Sequence, residues 1–353
     1  MGKRIAIVGA GAVGCYAGAH MAQAGEDVTF IDMWPEHVEQ MRTKGLTVSH
    51  ARDVEPFTVK ARALHLTEAQ QLAKERPVDI AFVCTKSYDT AWATTLIAQY
   101  LAPGGFVVSL QNCMNEETVA GVVGWGKTLG CIASQIMVEL RAPGDVIRGA
   151  GKGGTRHTVF RVGEVHGRIT PRAEEVCRLV GLADSAYTTQ NLWGERWSKL
   201  VANSMMNGLS ASTGLGGNAI VRDDVLQRFS VRLGSEAIRI GQALGYALEE
   251  IYHHDPELIA AAGEGDDDAL DTIATRNRKA AEGRADNFRP SMGQDMQKGR
   301  RTEIEFINGY VVRQGEATGI TARANAALTD IVKRVEAGEL EPDPNHIKDL
   351  RLN

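Results

Sequence analysis

The segment Arg4-Ile5-Ala6-Ile7-Val8 runs straight into Gly9-Ala10-Gly11-Ala12-Val13-Gly14, and few folds accept that junction. A short apolar run with β-branched residues, closed by glycine, reads as a buried strand. Ala12–Ala24 follows with helical character and stops at Gly25. In a strand–turn–helix unit each glycine has its own task. Gly9 permits the tight turn, Gly11 leaves the backbone open to a pyrophosphate, and Gly14 lets the helix lie close to the strand. The helix start then offers N–H groups and the positive end of its dipole to phosphate oxygens. The spacing alone is a weak signal, but here the required strand precedes it and the required helix follows. The expected ligand is therefore a dinucleotide, held by residues 9–14 with Ala10, Ala12 and Val13 supplying backbone between the glycines.

The surrounding pattern extends this unit. Asp27–Asp32, Val78–Cys84 and Phe106–Leu110 read as strands, the last following a turn at Pro103-Gly104-Gly105. Pro35–Lys44 reads as a helix ending at Gly45. Strand–helix alternation implies a mainly parallel sheet covered by helices. Between Gly144 and Arg168 glycines are dense and Thr158–Val162 alternates, which predicts antiparallel hairpins on one edge. Pro171–Val180 predicts a helix closing this half. From Asn191 onward strand signals disappear, and Asn191–Ser212, Asp223–Leu244, Ala269–Glu282, Thr302–Thr318 and Ala324–Glu336 read as helices. The expected fold is an α/β Rossmann-type N-terminal domain over residues 1–190 followed by an all-α C-terminal domain over residues 191–353.

A second strand ending roughly 20 residues past the glycine turn should place a group on the adenosine ribose. Here that residue is Asp32. A carboxylate accepts two hydrogen bonds from a ribose diol and repels a 2′-phosphate. Met33, Trp34 and Pro35 follow, with no arginine. NAD is expected over NADP, and NADP stays open as the case in which a basic group elsewhere holds the 2′-phosphate. A flavin would call for further contacting segments late in the chain, which an all-helical second half does not provide. The net charge of -5 argues against a nucleic-acid partner. No apolar run is long enough to cross a bilayer, and no signal peptide is expected. Five scattered cysteines without a C-x-x-C pair fit reduced thiols in the cytoplasm.

The helix starting near Asn191 carries Lys199, Asn203 and Asn207 at i, i+4 and i+8, about 6 Å apart along one face. Leu200, Val201 and Met205 border them. A lysine facing an apolar cleft can give up a proton, and asparagines orient a hydroxyl or carboxylate without charge. On spacing alone a solvated polar stripe fits equally well. Further on, Pro290-Ser291 marks a helix start. Thr302-x-x-Glu305 fits a capping box, which puts Glu303 in a first helical turn. Gly263–Asp268 reads as a solvated acidic loop without EF-hand spacing. His253 and His254, adjacent on a helix, would point to different faces, so no metal site is expected there.

Several motifs in series resemble the ketopantoate reductases (2-dehydropantoate 2-reductases). They are the glycine turn, Cys84-Thr85-Lys86-Ser87-Tyr88, Leu110-Gln111-Asn112, Trp197-Ser198-Lys199-Leu200-x-x-Asn203, Ser291-Met292-x-Gln294-Asp295 and Gly299-Arg300-x-Thr302-Glu303-Ile304. Their order and spacing agree over nearly the whole chain, and that family has a Rossmann domain followed by a helical one. The resemblance implies that Lys199 is the general acid that protonates the alkoxide formed when hydride reaches a ketone carbon. It implies that Glu303 bonds near the reacting oxygen or positions Lys199. Asn112 would lie between nicotinamide and substrate, and Lys86 by the cofactor. Asn203 and Asn207 would bind substrate hydroxyls, and Ser291 the substrate carboxylate. The implied reaction is NAD(P)H-dependent reduction of a small 2-oxo acid to a 2-hydroxy acid, 2-dehydropantoate to pantoate first among them.

The chain departs from the family pattern in places. Cys113 and Asn115 stand where glycines are usual, and Asp32 where NADP-using members carry arginine. Thr321-Ala322-Arg323-Ala324-Asn325 replaces a proline-rich stretch, and the Tyr252–Gly283 region is longer. These departures keep two alternatives in view: an NAD-dependent hydroxyacid dehydrogenase with another substrate, and a dinucleotide-binding regulator without chemistry. The sequence leaves assembly open, a homodimer included.

Overall fold

The structure is a computed structural model and describes residues 2–50, 54–149, 151–154, 157–282 and 289–351. It divides into two compact units, Met1–Leu192 and Trp193–Asn353.

The first unit alternates strands and helices: β1 (Arg4–Val8), α1 (Ala12–Gln23), β2 (Asp27–Asp32), α2 (Pro35–Thr43), β3 (Leu46–His50), β4 (Phe57–Val59), β5 (Arg62–His65), β6 (Val78–Val83), α3 (Thr90–Ala98), β7 (Leu101–Ser109), α4 (Glu116–Val123), β8 (Thr128–Ala133), β9 (Val138–Ala142), β10 (Asp145–Arg148), β11 (Phe160–Glu164), α5 (Pro171–Gly181) and β12 (Ala186–Thr189). Eight strands form one sheet in the order β12-β11-β8-β7-β6-β1-β2-β5, parallel except where β11 meets β8. The central strands are mostly apolar because both faces are covered. Ile5 and Ile7 enter one buried layer with Phe30 and Cys15, and Ala6 and Val8 enter the other with Ile31 and Val83.

Two expectations change here. Pro103-Gly104-Gly105 does not separate two elements. It lies inside β7 as an irregularity, so that Val78 pairs with Leu101 and Ile80 with Phe106. A β-carbon at Gly105 would lie 2.7 Å from the Val78 carbonyl oxygen, so the chain folds tightly there. The expected hairpin near Gly144 forms between β9 and β10, but in a separate four-stranded sheet, β4-β3-β10-β9. It leaves the main sheet because β10 pairs parallel with β3, from Asp145 opposite Thr47 to Arg148 opposite His50. Of the glycine-dense stretch, residues 150, 155 and 156 lie outside the described residues.

The second unit is helical: α6 (Leu192–Thr213, entered from the first unit's last residue), α7 (Gly217–Arg222), α8 (Asp224–Ala243), α9 (Pro256–Glu264), α10 (Asp267–Ala281), α11 (Ser291–Gln297), α12 (Asn308–Thr318), α13 (Arg323–Glu336) and α14 (Asn345–Lys348). Small residues let these helices approach closely. A β-carbon at Gly241 of α8 would collide with the Trp197 indole of α6, and one at Gly263 of α9 with Ser235 of α8. Several polar groups crossing the interior are paired. The indole Nε1 of Trp197 donates to the Ala237 carbonyl at 2.9 Å. Asn308 Nδ2 donates to the Ser204 carbonyl at 3.0 Å and to Asn325 Oδ1 at 2.9 Å. The Glu236 carboxylate accepts the Ala324 and Asn325 N–H groups, capping α13 from another helix.

Three local readings are corrected in this unit. The acidic run is a helix junction rather than a loop. Gly265 ends α9 at φ 112°, Asp266 caps α10 by accepting the Ala269 N–H at 3.0 Å, and Asp267 and Asp268 fill the first turn. Acidic side chains suit the positive end of a helix dipole. The capping box at Thr302 does not form. The Thr302 hydroxyl donates to Glu336, Glu305 accepts from Lys333 at 2.9 Å, and the helix starts only at Asn308. Finally, His253 and His254 are not helical. Ile251 and His254 exchange two backbone hydrogen bonds, each 3.0 Å, around a two-residue turn at Tyr252-His253. Both turn residues are left-handed, at φ 51° and 63°. For side chains bearing a β-carbon that costs about 1–2 kcal/mol each.

Candidate active site

The glycine turn is built by three different constraints. Gly9 sits at φ 92°, and a β-carbon there would lie 2.7 Å from the Thr85 backbone nitrogen. At Gly14 it would lie 2.5 Å from the Gly9 carbonyl oxygen and 3.1 Å from Ile7 Cγ2, which presses α1 onto β1. At Gly11 it would meet nothing within 4 Å. Gly11 is also the N-cap of α1, and no side chain caps that terminus. Open space above an uncapped helix start suits a pyrophosphate. The Thr85 hydroxyl beside the turn is buried without a hydrogen-bond partner, a group that a bound ligand could satisfy.

The turn is anchored at Ala10. Its N–H donates to Asp32 Oδ2 at 2.7 Å, and the other Asp32 oxygen accepts the Trp34 N–H at 2.9 Å. Asp32 therefore fastens the glycine turn to the end of β2 and retains lone pairs for a diol. The Ala10 carbonyl accepts from the Cys15 thiol at 3.0 Å and from His37 Nε2 at 2.9 Å. The Gly144 N–H donates to His37 Nδ1 at 2.8 Å, so the hydrogen-bond pattern assigns the ring hydrogen to Nε2. Burial holds the His37 imidazolium below its ordinary pKa, consistent with a neutral ring, and pushes the Cys15 thiol up. Sequence reasoning missed His37 and Cys15 because nothing in their local pattern signals a contact across the fold.

Lys86 and Asn112 follow the ends of β6 and β7. In the order β7-β6-β1-β2, four adjacent parallel strands thus deliver Asn112, Lys86, the glycine turn and Asp32 along one edge. Ligands of open α/β sheets bind at that carboxyl edge. The loop carrying Asn112 is braced. Gln111 Nε2 donates to the Thr85 carbonyl and the Thr90 hydroxyl, each at 2.9 Å, and Asn115 Nδ2 donates to the Asn112 carbonyl at 2.7 Å. Cys113 takes φ 65°, the left-handed region a glycine would occupy. The cysteine therefore adopts a glycine-like backbone rather than redirecting the loop.

In the second unit α6 carries Lys199, Asn203 and Asn207 on one stripe, with Lys199 and Asn203 half-buried and Asn207 buried. Asn203 Nδ2 is buried without a partner, an unfilled donor on that stripe. Glu303 is 5% exposed. Its neighbour Ile304 packs on Gly208 of α6, where a β-carbon would lie 3.2 Å from Ile304 Cδ1. Ser291, exposed at the first position of α11, arrives beside the same helix through Gly293, whose β-carbon would lie 2.4 Å from Ser210 Oγ. Both segments thus reach α6 near Asn207, while Lys199 stands two turns toward its N-terminus.

An open glycine turn at the carboxyl edge of a parallel sheet, followed in the chain by a helical unit with a lysine–asparagine stripe, fits a nicotinamide-dinucleotide-dependent oxidoreductase acting on a CH–OH group, the class to which the relatives below belong. Comparison with known proteins narrows the class. The family model described as "Ketopantoate reductase PanE/ApbA" matches residues 5–158, and "Ketopantoate reductase PanE/ApbA C terminal" matches residues 191–336. The 2-dehydropantoate 2-reductase of Archaeoglobus fulgidus is 32% identical, across 95% of this chain and 99% of that relative. The one from Pyrococcus abyssi is 29% identical with the same coverage. The solved 2-dehydropantoate 2-reductase from Geobacter metallireducens matches with a TM-score of 0.76 at 28% identity, over 94% of this chain and 99% of that one. A D-mandelate dehydrogenase solved with NADH and anilino(oxo)acetate has a TM-score of 0.77 at 21% identity, over 95% and 99%, and shares the fold. The chain belongs to the ketopantoate reductase family.

Proposed function

We propose that the chain reduces a 2-oxo acid to a 2-hydroxy acid, with 2-dehydropantoate as substrate and NADH preferred over NADPH. The observation that carries the reading is the stripe on α6, together with the Ser291 and Glu303 segments packed near its end. The names of the relatives support the substrate, and the Asp32 carboxylate at the end of β2 supports the cofactor preference.

The nicotinamide, when bound, supplies hydride to the carbonyl carbon. The chain's own residues do the rest. The glycine turn and the start of α1 hold the pyrophosphate, with Ala10, Ala12 and Val13 between the glycines. Asp32 takes the ribose diol, Lys86 lies by the cofactor, and Asn112 separates cofactor from substrate. Asn203 and Asn207 hold substrate hydroxyls, and Ser291 binds the carboxylate. Lys199 Nζ gives a proton to the oxygen as negative charge develops on it, and Glu303 bonds near that oxygen or positions the lysine. A cytoplasmic homodimer belongs to the same reading, supported on the compartment side by the lack of any disulfide among the described residues.

A panel of 2-oxo acids tested with NADH and NADPH decides the matter. The expected result is the highest kcat/KM with 2-dehydropantoate and NADH. A higher kcat/KM with NADPH overturns the cofactor preference. NADH binding with no turnover of any 2-oxo acid overturns the enzymatic reading.

A further inference from the structure

The segment between α8 and α9 has no role in the chemistry so far, yet it is fastened along α6 beside the stripe. Tyr246 packs on Trp197 with ring centroids 5.4 Å apart. The Glu249 N–H donates to Ser198 Oγ at 2.8 Å, and the Tyr252 hydroxyl donates to the Ala202 carbonyl at 3.0 Å. These three points climb α6 from Trp197 to Ala202. Ala202 stands three residues after Lys199, so the two are surface neighbours on α6, and Asn203 lies one helical turn beyond that lysine. Tyr252 is thus delivered to the edge of the stripe.

Its delivery is forced. Tyr252 and His253 both take the left-handed backbone that glycine or asparagine would accept more readily. The paired hydrogen bonds of Ile251 and His254 close the turn, and Asn277 holds His254 Nε2 at 2.9 Å. Enclosure around the phenol pushes it up to about 12, so the hydroxyl stays a neutral donor to Ala202. The residue as a whole is nonetheless 49% exposed. A hydroxyl fixed to the helix holds the ring in one place, as a rigid apolar wall.

We propose that Tyr252 is a specificity-determining residue: its ring bounds the substrate site on the side next to Lys199 and Asn203, and admits compact branched 2-oxo acids while excluding aryl ones. This rests on the reading of the α6 stripe as the substrate site.

The test compares wild type with Tyr252→Gly, Tyr252→Asn and Tyr252→Phe on 2-dehydropantoate, 3-methyl-2-oxobutanoate and phenylglyoxylate. Glycine and asparagine suit the left-handed backbone, so these variants remove the ring while easing the turn. With either, kcat/KM for phenylglyoxylate relative to 2-dehydropantoate should rise about tenfold or more, mainly through KM, with NADH affinity unchanged. Tyr252→Phe keeps the ring and should keep the wild-type ratio. Wild-type turnover of 2-dehydropantoate with the same ratio in all three variants overturns this inference and leaves the proposed function standing. Wild type that reduces none of the three acids overturns the proposed function instead, and this inference with it.

Discussion

One methyl group, placed at either of two glycines of the same turn, should separate cofactor binding from folding. At Gly14 the added carbon would lie 2.5 Å from the Gly9 carbonyl oxygen and 3.0 Å from Cys84 Cβ. Backbone cannot swing aside as a flexible side chain can, so Gly14→Ala should cost about 1–3 kcal/mol, as overpacking generally does. For a unit of this size that corresponds to a fall of roughly 2–12 °C in Tm. At Gly11 the same carbon meets nothing within 4 Å, and φ is -73°, which alanine adopts without strain. The poorer N-cap is offset by the stiffer unfolded chain, each effect below about 1 kcal/mol, so the Tm without cofactor should move by no more than about 3 °C. A dinucleotide bound as proposed, however, needs that space. Losing one charge-assisted hydrogen bond of about 1.5–3 kcal/mol raises Kd roughly 10- to 150-fold. The assay is thermal unfolding with and without NADH or NADPH, alongside fluorescence titration of both cofactors. Gly11→Ala should melt like wild type when empty and gain little from either cofactor. Wild-type affinity in Gly11→Ala, or an unliganded Tm as low as that of Gly14→Ala, would refute the reasoning.

Three further outcomes are expected. Asp32→Asn keeps an acceptor for the Ala10 N–H but removes the charge, so the kcat/KM ratio of NADPH to NADH should rise about tenfold or more; an unchanged ratio removes Asp32 as the discriminator. Lys199→Ala should lower kcat by about 10²- to 10⁴-fold with NADH affinity intact, and near-normal turnover would remove it as the acid. His20 is buried, which lowers its pKa from 6.5 to about 4. The unfolded chain then binds the extra proton first, so this contribution is complete above pH 6.5 and declines as pH falls toward 4, by about 3 kcal/mol in all. His20→Gln should flatten the Tm profile across that interval; an unaltered slope would count against it.

The strands with both faces covered were legible because their composition is nearly forced: β1, β2 and β6 begin and end close to where apolar runs and glycines place them. The short strands β3, β4 and β5 were not, since half-covered segments such as Leu46–His50 mix polar residues into the pattern. β8 was missed for another reason. Thr128–Ala133 is buried throughout but carries Gly130 and follows Gly124-Trp125-Gly126, so it resembles a loop. In the second unit, helix periodicity located α6, α8 and α13. It could not show that Thr302 turns toward Glu336, or that Asp266 starts a helix rather than a loop. The proposed site divides the same way. The glycine turn and the lysine–asparagine stripe follow from spacing. His37, Thr85 and Tyr252 depend on contacts between residues distant in sequence, which no local pattern records.

The fastening of Ala10 affects how fast and how tightly a ligand can be taken up. Its N–H and carbonyl are both committed within the protein itself, to Asp32 and to His37 and Cys15. Ordering a residue costs about 1–2 kcal/mol of conformational entropy, and here folding has already met that cost. The turn is a preorganised template, so association need not wait for a loop to settle. Through His37 the template extends to the Gly144 N–H, in the hairpin of the second sheet. On the proposed reading that hairpin, remote in sequence from the glycines, helps to set cofactor affinity, and loosening it should weaken binding without altering the glycine turn itself.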